Sequence, residues 1–166
     1  AVAHLIDQGH RRIGFVGMEL FHEVEKLRLQ GYRDALRAVR LTPTDDLVHL
    51  MPEYSAENGR VAMEALLGLA KPPTAVFATS DLLAGGVLQS LYGHGLSVPQ
   101  DVSLVGYDDT LAPLLAPPIT SIGLSLDAIG QQALALLLAR QQAPGAPART
   151  LTLKTDAGGT TRTLTL

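Results

Sequence analysis

The sequence predicts an α/β fold, a parallel sheet flanked by helices on both faces. Short apolar runs at Arg12 to Gly17, Leu47 to Met51, Thr74 to Thr79 and Ser103 to Tyr107 alternate with longer segments of helical period. The runs are continuous rather than alternating, as strands buried on both faces require. A helix-length segment separates each run from the next, so right-handed crossovers bring the strands parallel. With 166 residues, 46% of them hydrophobic, the chain can bury the core of one such unit, or of one and a fraction.

Each element has a local reason. The first helix, Ala1 to Gln8, stops at Gly9. A second, about His22 to Arg40, carries Leu29, Leu36 and Val39 on one side and ends before Thr42-Pro43. The third starts after Ser55, a good N-cap, and points Val61, Ala62, Ala65, Leu66 and Leu69 inward until Lys71-Pro72-Pro73. The fourth follows Ser80-Asp81, with Leu83, Val87, Leu88 and Leu91 on one buried face, and ends around Gly93 to Gly95. Beyond Tyr107 the pattern changes, because Pro113, Pro117 and Pro118 forbid one regular helix. A helical turn and a short strand at Ile119 to Ile122 are expected there. Ser125 then caps a helix to about Gln142, and APGAPA reads as a linker. The tail alternates Thr with Leu, as a half-exposed strand or a frayed terminus would, around a Gly-Gly turn.

Composition removes several function classes. Net charge is -3, and basic residues are scattered apart from His10-Arg11-Arg12, so this segment offers no basic stripe for a phosphate backbone. There are no cysteines, hence no disulfides, thiolate nucleophiles or Cys-ligated zinc, which is compatible with a reducing cytoplasm. No apolar run reaches the roughly 18 to 20 residues of a membrane span. The start, AVAHLIDQGHRR, opens inside a helical pattern without an initiator Met, as a piece cut from a longer chain would.

In a parallel α/β sheet, ligands collect where the carboxyl ends of strands meet helix N-termini. Here those ends are Gly17 to Val24, Glu53-Tyr54, Ser80-Asp81 and Asp108-Asp109. Gly-x-x-x-x-Gly-Lys-Ser/Thr and Gly-x-Ser-x-Gly are both absent, and GFVG is too short for a dinucleotide fingerprint. His4, His10, His22, His49 and His94 never stand at the i, i+4 spacing of a zinc helix. No catalytic residue, metal or cofactor is therefore assigned. Asp108 and Asp109 are adjacent, so in extended chain they point to opposite sides and cannot form a dyad. Asp108, at the strand end, suits hydroxyl or amine ligands as a pure acceptor; Asp109 reads better as a cap or turn residue. Of Ser80 and Asp81, one should cap the following helix and the other can face the cleft. Arg28, among Glu25, Lys26 and Arg33, fits a solvated salt-bridged face, and Tyr54 a partly exposed aromatic. Together, however, Arg28, Tyr54, Ser80 and Asp108 would supply a donor fork, a stacking face and acceptors for a polar ring compound such as a sugar.

With those residues in place, the chain resembles the effector-binding region of LacI/GalR-family transcriptional regulators. The resemblance is carried by HLIDQGHRRIGFVG (His4 to Gly17), RLQGYRDAL (Arg28 to Leu36), PPTAVFATSDLLAGGVLQSLYGHGLSVPQDVSLVGYDDT (Pro72 to Thr110) and PPITSI (Pro117 to Ile122), in that order. It implies a periplasmic-binding-protein-like clamshell of two α/β lobes, preceded by a helix-turn-helix domain that alone contacts operator DNA. Residues 1–122 would be the C-terminal lobe. Residues 123–154 would hold a crossover helix and strand of the N-terminal lobe, and 155–166 a tail; most of the N-terminal lobe and the DNA-binding domain would precede Ala1.

The resemblance also places effector contacts on Arg28, Tyr54, Ser80 and Asp108. A position that is often Gln in sugar-responsive members is Leu124 here. It implies a homodimer as well, formed by the segments containing Gly85, Gly86, Leu111, Leu114 and Leu115, although ordinary core packing fits the same residues. The expectation is a non-enzymatic cytoplasmic sensor, part of a repressor that answers to a sugar-like metabolite. The competing readings are a transporter's sugar-binding protein and a small α/β enzyme.

Overall fold

The computed structural model describes residues 1–19, 21–143, 145, 150–154 and 161–165. Contacts divide the chain into two units, Ala1–Ile122 and Gly123–Leu166. The first contains helix α1 (Val2–Asp7), strand β1 (Ile13–Met18), α2 (Glu23–Ala38), β2 (Val48–Met51), α3 (Ala56–Leu67), β3 (Ala75–Ala78), α4 (Asp81–Gly93) and β4 (Ser103–Asp108), with β5 (Thr120–Gly123) at its end. The sheet order is β2-β1-β3-β4-β5. The β1–β2, β1–β3 and β3–β4 ladders are parallel, as the alternation of strands and helices demands.

Successive residues of each central strand serve opposite faces. Val16, Val76, Ala78 and Leu104 join Ala62, Met63, Leu66, Leu83, Val87 and Leu91 in one continuous core under α3 and α4. On the other face Phe15 meets Tyr32 of α2 at 5.3 Å between ring centroids and Phe77 at 5.8 Å. The Tyr32 hydroxyl, buried with its ring, donates to the Ile13 carbonyl at 2.8 Å.

Two helical faces differ from the expected ones. In α3 the buried residues are Gly59, Ala62, Met63 and Leu66, whereas Val61 and Ala65 point outward. Gly59 fixes this register: a Cβ there would lie 2.1 Å from the Leu83 carbonyl oxygen, so its bare backbone is what meets α4. In α2 the stripe is Glu25, Leu29, Tyr32 and Leu36, while Val39 lies past the helix end and is exposed. Ser55 and Ser80 cap α3 and α4, accepting from Asn58 N and Leu83 N, each at 3.2 Å. Leu83, Val87, Leu88 and Leu91 are buried as predicted. The Pro-rich segment forms a single 3-10 turn, Ala112–Leu114.

The second unit holds α5 (Leu126–Gln142) and an antiparallel pair, β6 (Thr150–Lys154) with β7 (Thr161–Thr165). Ser125 occupies the N-cap position of α5, but its side chain makes no capping hydrogen bond. The Gly158-Gly159 turn, and most of the APGAPA stretch, lie outside the described residues.

Candidate ligand-binding site

The sheet order reverses direction between β1 and β3: from β1 the chain goes outward to β2, then crosses back to β3. Crevices outside the carboxyl ends of strands at such switch points are where open α/β sheets bind ligands. The strand ends meeting there deliver Met18, Thr79 and Ser80, α2 delivers Glu25 and Arg28, and the segment after β2 delivers Tyr54.

These side chains are joined. Arg28 Nη1 donates to Glu25 Oε1 at 2.5 Å, to the Tyr54 hydroxyl oxygen at 2.9 Å and to the Thr79 carbonyl at 3.1 Å. The Tyr54 hydroxyl in turn donates to Glu25 Oε1 at 2.5 Å. The guanidinium carbon lies 4.1 Å from the centroid of the Tyr107 ring, at the end of β4. Glu25, with 0% exposure, completes the cluster through Oε2, which accepts from Met18 N at 3.1 Å and Thr79 Oγ1 at 3.0 Å. Burial pushes the Tyr54 phenol up to about 12, helped by its bond to Glu25. For Arg28, burial pulls downward, but the Glu25 carboxylate beside it holds the guanidinium above its ordinary value.

The sequence-predicted residues therefore fare differently. Arg28 and Tyr54 are brought into direct contact, and Arg28 sits half-buried at the sheet edge instead of on a solvated face. Ser80 is buried, and its Oγ caps α4. Asp108 lies half-buried at the end of β4 with φ 104°, and Asp109 follows with φ 55°. Neither is extended: two consecutive non-glycine residues at positive φ turn the chain sharply, and asparagine and aspartate are the residues that tolerate this best. Asp109 N donates to Ser121 Oγ at 3.2 Å, consistent with a turn role for that residue.

Asp81, the alternative cleft residue of its pair, faces inward with 1% exposure. Its Oδ2 accepts from Thr110 N at 2.8 Å, Leu111 N at 2.9 Å and Ala112 N at 3.0 Å, and its Oδ1 accepts from Ser121 Oγ at 2.7 Å. Gly106 makes room for it, since a Cβ there would meet Asp81 Oδ1 at 2.6 Å. Asp81 thus ties the start of α4 to the loop after β4 and to β5.

Sequence reasoning missed Glu25, Thr79, Tyr107 and the inward role of Asp81. A signal for Glu25 existed, since the apolar stripe Leu36, Tyr32 and Leu29, continued one turn back, lands on it. Of the dimer candidates, Gly86 is buried inside the chain: a Cβ there would lie 1.8 Å from the Ala56 carbonyl oxygen, so it serves the α3–α4 contact. Gly85 is half-buried beside Leu115, and Leu111 and Leu114 are exposed, Leu114 by 78%. Among the described residues, no group of three or more His, Cys, Asp or Glu could hold a metal ion. No described helix is long and apolar enough to cross a membrane.

Residues 2–161 match the family of the periplasmic binding protein-like domain. The chain belongs to that family. It is 37% identical over 155 residues to the ribose operon repressor of Haemophilus influenzae, covering 93% of this chain and 46% of the relative. It is 38% identical over 171 residues to the transcriptional repressor CytR of Escherichia coli, covering 99% and 49%. A solved structure of the transcriptional regulator CelR in complex with cellobiose superposes with a TM-score of 0.80 at 37% identity, covering 88% of this chain and 45% of that one. The chain spans about half the length of the curated relatives it matches.

Proposed function

We propose that this periplasmic binding protein-like chain is the sensing part of a cytoplasmic transcriptional repressor, and that it contacts a sugar or similar small polar effector through Arg28, Tyr54, Asp108 and Ser80, whose hydroxyl can still donate while its oxygen caps α4. The observation that carries this is the clamped Arg28 at the switch point. Its guanidinium is held by Glu25, Tyr54 and Thr79 and backed by the Tyr107 ring. A preorganised donor loses little freedom on binding, so most of its interaction energy is left for affinity.

The matched relatives named above are regulators, which favours this reading over a transport component. Operator DNA would be contacted only by a helix-turn-helix domain outside this chain. Because the described edge belongs to one lobe, the effector would complete its contacts against a second, and would act by binding one lobe arrangement better than the other. A homodimer through Gly85, Leu111, Leu114 and Leu115 belongs to the same proposal.

A thermal-shift screen of the full-length protein against ribose, cellobiose, nucleosides and nucleobases tests it. A true effector at about 100 times its Kd stabilises the folded state by about 2.7 kcal/mol. Arg28→Ala is expected to remove that stabilisation. Stabilisation that survives Arg28→Ala, or its absence across the panel, would refute the assignment. The isolated 166-residue chain, carrying half a site, should bind the same effector weakly or undetectably by calorimetry.

A further inference from the structure

We infer that Glu25 sets the charge class of the ligand: by matching the charge of Arg28 from beneath, it makes this edge a site for uncharged polyhydroxyl compounds and excludes anions such as sugar phosphates. The inference rests on the reading of Arg28 as an effector contact.

An arginine half-buried at a sheet edge among helix N-termini would ordinarily favour phosphate or carboxylate, because its planar fork matches those groups and the helix ends add positive potential. Here both sources are already matched. Glu25 has 0% exposure, and its oxygens are taken by Arg28, Tyr54, Thr79 and the Met18 amide, so it is fixed as a counter-charge and does not itself reach a ligand. All three hydrogen bonds of Arg28 given above leave from Nη1 toward protein acceptors, and its buried Nε has no partner among the described residues, so it is the charge and not the whole fork that is matched. The helix ends are matched too. Three helices begin at this edge, and each carries acid in its first turn: Glu23 in α2, paired with Lys26, Glu57 in α3, paired with Arg60, and the buried Asp81 in α4. Asp108, at the end of β4, adds a further carboxylate. An anion approaching this edge meets an ion pair whose charge is already matched, while a hydroxyl meets both donors and acceptors.

The decisive experiment uses inorganic phosphate as the probe, on the full-length protein. In the unmodified protein, Arg28→Ala should leave phosphate affinity unchanged, because phosphate does not occupy this site. Glu25→Gln keeps the shape and most hydrogen bonds but removes the counter-charge, and should bind phosphate at least tenfold more tightly, with the gain abolished in the Glu25→Gln, Arg28→Ala double variant. A Glu25→Gln protein with no such gain, or an unmodified protein whose phosphate binding falls on Arg28→Ala, would overturn the inference. Should Glu25→Gln fail to fold, the unmodified protein still decides by competition: tenfold preference for ribose over ribose 5-phosphate supports it, and equal or tighter binding of the phosphate refutes it. Failure of every sugar to stabilise the protein would refute the effector reading instead, and the phosphate titration would still decide the role of Glu25.

Discussion

Asp81 offers the sharpest test of how the site is supported. Its carboxylate, 1% exposed, takes three backbone N–H groups on Oδ2 and one hydroxyl on Oδ1. In Asp81→Ala all four donors lose their acceptor. Thr110 and Leu111 are exposed enough for water to replace it, but Ala112 is fully buried, and its orphaned amide alone costs about 1–3 kcal/mol. Adding the lost charge-assisted bonds, and some slackening of the Asp109–Leu111 turn, gives about 3–5 kcal/mol. Asp81→Asn should be milder, about 1–2 kcal/mol, because an amide oxygen can still face the three N–H groups while its NH₂ donates to Ser121, whose hydroxyl can reverse. Urea unfolding followed by circular dichroism measures both. With a slope of about 2 kcal/mol/M the midpoint should fall by about 1.5–2.5 M for Ala and by less than about 1 M for Asn. Equal losses for the two variants, or a loss under about 1 kcal/mol for Ala, would refute the account of Asp81 as the tie between α4 and the loop.

Other expectations can be checked on the same protein. Gly86→Ala places a methyl 1.8 Å from the Ala56 carbonyl oxygen and should cost at least about 3 kcal/mol of unfolding free energy, whereas Gly85→Ala meets only Leu115 Cδ2 at 3.5 Å and should be neutral or gain up to about 1 kcal/mol from helix propensity. Leu114→Asp, at a side chain 78% exposed, should shift the full-length protein from dimer to monomer in sedimentation while leaving the melting temperature of the lobe nearly unchanged; an unaltered dimer would remove this turn from the interface. Burial lifts the phenols of Tyr32 and Tyr54 to about 12. A pKa raised above the unfolded value of about 10 contributes stability that is complete below pH ~10 and is lost as pH rises through about 12. Stability should therefore fall steeply across that window, and less steeply in Tyr54→Phe; identical profiles would contradict the stated environment of Tyr54.

The architecture was legible in the sequence because local pattern and global order agree in this chain. Continuous apolar runs between capped, amphipathic segments leave few alternatives to a parallel sheet covered on both faces, and the observed strands follow those runs closely. Arg28 and Tyr54 were also legible as edge residues, since position at a strand or helix terminus is a one-dimensional property. What the pattern misjudged was direction. Val61 and Ala65 were placed inward because an apolar residue at helical spacing is ambiguous by one position, and only the backbone contact at Gly59 sets the rotation of α3. Gly86 read equally well as surface or core until α3 was packed against it.

By itself, then, the sequence determined the fold class, the family to which the chain belongs and which residues stand at the carboxyl edge of the sheet. The tertiary structure alone decided what each polar group at that edge does. Glu25 and Arg28 are three residues apart and looked like one more solvated pair, yet burial against β1 and β3 brings Met18, Tyr54 and Thr79 around the same carboxylate. Ser80 and Asp81 were interchangeable until the loop after β4 brought three amides to one of them. Charge and hydrogen-bonding roles depend on which distant groups arrive and how much water leaves, and neither is encoded in local spacing.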